Sequence, residues 1–145
     1  NIQIVQNKDY VVILSEYFSL VRIIRLNNKF SPEVGRRWMG DSIGYYEGNS
    51  LIVHTRHFRE EQSIAPLRSS SSFEVKEVYT MENENEILFQ YTISDPQIYT
   101  DQWVVEIPIQ RMRNGLKLYE YACHEDNYSL PFMLRAARME EAGIL

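Results

Sequence analysis

Apolar and β-branched residues alternate with polar ones in short runs along most of the chain, with the two-residue period of a strand that buries one face. The runs are Ile2–Gln6, Tyr10–Phe18, Leu20–Leu26, Asp41–Glu47, Ser50–Phe58, Phe73–Thr80, Glu86–Ser94, Gln102–Gln110 and Leu116–His124, and each predicts a strand. Between them stands turn chemistry. Gly48-Asn49 suits the positive φ angles of a two-residue hairpin turn, which would pair Tyr46 with Leu51 and Gly44 with Val53. Asn83-Glu84-Asn85, Asp95-Pro96 and Asn114-Gly115 break the later runs and predict loops. Gln62–Ser72, with Pro66 and the serines Ser69 to Ser72, reads as a mobile surface loop. From Ser129 the period changes. Leu130, Met133, Leu134, Ala137 and Met139 recur near helical spacing, and Pro131 is tolerable in a first turn, so one C-terminal helix is expected.

Nine short strands in 145 residues most economically form a single domain spanning the whole chain. The expected architecture is mainly β, an antiparallel barrel, closed or nearly closed, of lipocalin or calycin-like form, with the helix against one side or end. Closure would remove the exposed strand edges that an open sheet must protect. A two-sheet sandwich is the alternative.

Composition changes this picture in a few places. Fifteen Lys and Arg against 20 Asp and Glu give a net charge of −5. An acidic chain lacks the field that attracts phosphate backbones, so nucleic acid is not an expected partner. No apolar run reaches the roughly 18 residues of a membrane helix, and a soluble chain without a membrane span is expected. The chain is 44% hydrophobic and 24% charged, which is enough apolar material to fold. A single cysteine, Cys123, excludes an internal disulfide and reads as buried packing. Ten tyrosines outnumber six phenylalanines and two tryptophans, and rings with hydroxyls suit half-wet cavity walls. No glycine-rich phosphate loop is present, so no nucleotide or other cofactor is expected. A strand pattern begins almost at Asn1, so an upstream segment, removed or left out, is expected.

Candidate chemistry gathers in two places. Arg22 shares a strand face with Leu20, Ile24 and Leu26, and a three-residue loop at Phe18-Ser19-Leu20 would set it opposite Glu16. The pair would either fix strand register or leave Arg22 to anchor an anionic ligand while Glu16 orients its guanidinium. In a strand over Leu116–His124, Glu120 and His124 face one way with Leu118 and Ala122, while Tyr121, Cys123 and Glu125 face the other. A carboxylate in an apolar cavity has a raised pKa, so Glu120 or Glu125 with His124 could work as general acid and base. Alternatively His124, Asn127 and Tyr128 simply bond backbone groups where strand turns into helix. His54-Thr55-Arg56-His57 makes a poor metal site, because residues three apart on a strand point oppositely, and no metal is expected. Ser42 between Gly40 and Gly44 lacks the following helix of a nucleophile elbow; those glycines fit a strand bend or close backbone approach.

The segment from Trp38-Met39-Gly40-Asp41-Ser42-Ile43-Gly44 through Tyr46-Glu47-Gly48-Asn49 to Leu51-Ile52-Val53, with Tyr119-Glu120-Tyr121-Ala122-Cys123-His124-Glu125-Asp126-Asn127-Tyr128, resembles a family of largely uncharacterised bacterial proteins. Its members look like W-x-G-x-S-x-G-x-W-E-G-(D/N)-x-L-x-V early and Y-E-Y-x-C-H-E-x-N-Y late, and Tyr46 stands where that pattern usually has Trp. The resemblance extends over nearly the whole chain and implies export, to a periplasmic or extracellular location, behind a signal peptide preceding Asn1. It carries no chemistry to transfer. The leading expectation is a barrel that binds a small, partly apolar molecule, with Glu16, Arg22, Tyr46, Tyr121, Asn127 and Tyr128 as candidate contacts. A cofactor-independent lyase, isomerase or hydrolase using Glu120, Glu125 and His124 is one alternative. An interaction module of a larger exported protein is the other.

Overall fold

A computed structural model describes residues 1–27, 29–30, 35–62, 69–125 and 127–144. Eight strands form one sheet in chain order: β1 Ile2–Gln6, β2 Tyr10–Ser15, β3 Val21–Leu26, β4 Asp41–Glu47, β5 Ser50–Arg56, β6 Glu74–Asn83, β7 Glu86–Ser94 and β8 Trp103–Gln110. The hairpin at Gly48-Asn49 has the expected register, Tyr46 opposite Leu51 and Gly44 opposite Val53. Gly48 takes a φ of +59°, which glycine adopts at little cost. Gly44 serves close approach: a Cβ there would lie 2.9 Å from the Ile52 carbonyl oxygen.

One pairing departs from the antiparallel expectation. β3 and β4 run parallel, joined over only three register pairs, Ile24 with Ser42, Arg25 with Ile43 and Leu26 with Gly44. Residues 27–40 separate them, long enough for the crossover that a parallel pair requires. This single reversal of parity makes β1 and β8 point the same way along the sheet.

The sheet curls into an open half-barrel rather than the closed or nearly closed barrel expected from strand count, with β1 and β8 as unpaired outer strands. Closing it would need a parallel ladder onto a five-residue β1, and Pro108 in β8 has no N–H to contribute. The ninth strand expected over Leu116–His124 does not form, and this segment is irregular. Its alternating pattern finds no neighbouring ladder; instead Tyr119 N donates to Glu16 Oε2 at 3.2 Å, and the Tyr121 ring rests against Tyr17 and Phe18. Alternation without a partner strand does not make a strand. Cys123, expected in packing, is exposed for the same reason.

Register assigns the concave face. Val11, Ile24 and Val53 are fully buried there, with Leu26, Leu51 and Tyr79 almost so, and they form the core. The C-terminal helix α1 spans Ser129–Glu141 as expected, but has no buried residue and does not pack on the sheet. The loop expected over Gln62–Ser72 falls mainly on residues 63–68, outside the described residues; beyond them Ser70 is tied to the buried Asp95 by two bonds of 2.6 Å. Among the described residues no helix is long and apolar enough to cross a membrane.

Candidate functional site

The unpaired seam between β1 and β8 is a groove of about 780 Å³. Its walls follow from register. Ile4 lies opposite Ile13, Ile87 opposite Ile109 and Phe89 opposite Ile107, so all six side chains project from the concave face. Tyr79, opposite Phe89, also lines the groove; the two rings stack with centroids 4.5 Å apart. A further cavity of about 380 Å³ shares Ile4, Ile13, Tyr79 and Ile87 and extends to Tyr46. There the Tyr46 hydroxyl donates to Gln6 Oε1, and burial pushes its phenol pKa upward. Polar groups stand at the rim: Arg111 Nε donates to the Glu84 carbonyl at 2.8 Å. An apolar seam with a few oriented polar groups can bind a small molecule.

Tyr79 joins this groove to a buried polar network. Its hydroxyl donates to Glu77 Oε1 at 3.0 Å. Arg22 Nη1 donates to the same oxygen at 2.7 Å, while Nη2 reaches Glu77 Oε2 and Thr55 Oγ1, the latter at 2.6 Å. Arg22 Nε donates to Ser42 Oγ at 3.1 Å, and Ser42 and Thr55 share a bond of 2.9 Å. Glu77 is 4% exposed. All three guanidinium nitrogens donate within this network, four of the five N–H groups in all. On the other side of β3, Arg25 makes a two-pronged pair with the buried Asp41 at 2.6 and 2.9 Å. This guanidinium holds the Asp41 carboxyl below its ordinary value, against an opposing push from burial.

Glu16 is not the partner of Arg22. A 3-10 turn over Tyr17–Ser19 ends β2 early, with Phe18 and Ser19 at positive φ, and the pairing runs Ile13 opposite Arg22. The odd shift in register puts Glu16 outside the ladder. There the Asn1 amide bonds its carboxylate at 2.9 Å and, with the Tyr119 N–H, holds it below its ordinary value. Of the other expected contacts, Tyr46 reaches the groove region and Tyr121 does not, since it packs on Tyr17 and Phe18. Asn127 Oδ1 accepts the Ser129 N–H at 3.1 Å at the start of α1, and Tyr128 stands beside Phe132. Glu120, His124 and Glu125 are exposed on the irregular segment, and none of them lines the groove or its extension.

Reading single strands missed Glu77 and Tyr79. Their signal was present, because Val75, Glu77 and Tyr79 share a face and a carboxylate amid apolar positions asks for a partner. Comparisons with known proteins give no further guide: no family model matches the chain, and neither a curated protein nor a solved structure matches it.

Proposed function

We propose that the half-barrel is a receptor for a small, partly apolar molecule held between β1 and β8. The observation that carries this reading is the seam itself: aliphatic and aromatic side chains of β1, β2, β6, β7 and β8 face a groove of about 780 Å³, within the size range of small-molecule sites. Apolar side chains left half-exposed on a concave surface gain by covering, and a ligand supplies that cover. Tyr46 at the extension and Arg111 at the rim would orient its polar end.

The test uses 1-anilinonaphthalene-8-sulfonate fluorescence on the whole chain, with displacement by decanol. Saturable binding, competition by decanol, and a loss of about tenfold or more in Ile107→Lys support the reading, since a charge in the groove opposes apolar occupancy. Ile107 is 43% exposed, so the variant should fold. Equal probe binding by parent and variant overturns it.

A further inference from the structure

The face of the sheet opposite the groove carries a polar pocket of about 420 Å³ across β5, β6 and β7. Register builds its walls. His54 lies opposite Lys76 and Lys76 opposite Thr92, while Glu74 lies opposite Ser94 in the next row. Arg56 completes the pocket, with its guanidinium carbon 3.6 Å from the Phe30 ring centroid. The ring covers one guanidinium face without supplying an acceptor, and Arg56 Nε is buried with no hydrogen-bond partner. Among the described residues neither Lys76 nor Arg56 has a carboxylate within ion-pair distance. Two unpaired cations and two hydroxyls therefore converge on one pocket, with Glu74 the one acidic side chain in its lining. In a chain of net charge −5 this is a local reversal of sign.

We propose that this pocket binds a phosphate-sized oxyanion through Lys76, Arg56 and the hydroxyls of Thr92 and Ser94. Point charges and rotatable hydroxyls match the several acceptors of a tetrahedral anion. The site is independent of the groove and of any ligand there. His54 reports its occupancy. Burial, then the charge of Lys76, holds the imidazole below its ordinary value; Arg56 adds to this and Glu74 opposes it. Tyr45 stacks on its ring. An anion in the pocket offsets the two cations, so the imidazolium becomes easier to form.

The experiment is a nuclear magnetic resonance titration of the histidine ring signals in the whole chain, with sulfate against chloride at matched ionic strength. Sulfate stays doubly charged throughout, and His54→Gln assigns the signal. The His54 midpoint should rise by roughly one pH unit on saturation. Lys76→Gln should weaken sulfate binding by about tenfold, and Glu74→Gln should tighten it severalfold. A His54 midpoint that moves equally in chloride, or sulfate binding unchanged in Lys76→Gln, overturns the proposal. Phenyl phosphate binding more tightly than inorganic phosphate would identify the anion as a group carried on a larger ligand; the reverse order would identify a free ion. Binding of neither overturns the site.

Discussion

The joint between β3 and β4 and the seam between β1 and β8 are both places where the sheet is weakly held by its backbone, and they are treated in opposite ways. At the joint only three register pairs hold the strands, and an arginine of β3 clamps each face. Arg22 reaches Ser42, Thr55 and Glu77 across three further strands on the concave side, and Arg25 grips Asp41 on the other. The seam has no ladder and no charged clamp across it; mainly apolar side chains face the gap, with polar groups at the rim. Buried, directional charge pairs specify which strands meet and in what register, whereas apolar contacts leave the spacing adjustable. A joint that must not slip and a gap that accepts a guest have different requirements, and the residue types follow them.

Breaking the concave clamp should have the largest effect. Arg22→Met leaves the Glu77 carboxylate buried and unpaired, and urea melts should show a loss of about 3–5 kcal/mol. Pairing it with Glu77→Leu removes the stranded charge and should recover most of that loss. If the single variant is as stable as the parent, the joint does not depend on the clamp.

The second clamp should matter less, and its contribution should depend on pH. Asp41→Asn keeps the shape but weakens the pairing with Arg25, for a loss of about 1.5–3 kcal/mol at neutral pH. Arg25 lowers the folded-state pKa of Asp41, so the carboxylate's contribution is present above the unfolded value of roughly 4 and disappears as pH falls through the lowered folded value. Parent and variant should therefore converge in stability in strong acid. A gap between them that persists unchanged there would mean that ionisation of Asp41 is not what stabilises the joint.

Tyr79 is where the two regions touch, and its hydroxyl gives the finest test. Tyr79→Phe removes the bond to Glu77 and keeps the ring against Phe89, so stability should fall by about 0.5–1.5 kcal/mol. Probe affinity in the groove should stay unchanged, because the groove uses the ring. Reduced probe binding with no change in stability would assign the hydroxyl to the groove and not to the clamp.

Much of this architecture was legible locally. The alternation over Ile2–Gln6, Asp41–Glu47 and Glu86–Ser94 matches the strands, because a half-buried strand imposes its period on its own sequence. Gly48-Asn49 specified a hairpin and its register through backbone conformations that few residue pairs adopt. The change to helical spacing at Ser129 marked where α1 begins. Arg22 was legible as a residue needing a partner, though not the identity of that partner: Glu77 is 55 positions away and reaches it only because β4 and β5 lie between.

The parity of the sheet was decided at the parallel joint, whose effect on β1 and β8 no single strand can reveal. The same holds for Leu116–His124, where an alternating pattern stays irregular because no ladder is offered to it. Period and turn are properties of neighbouring residues and are written in the chain. Which distant strands share an edge depends on the sum of every connection between them, and only the assembled sheet determines that sum.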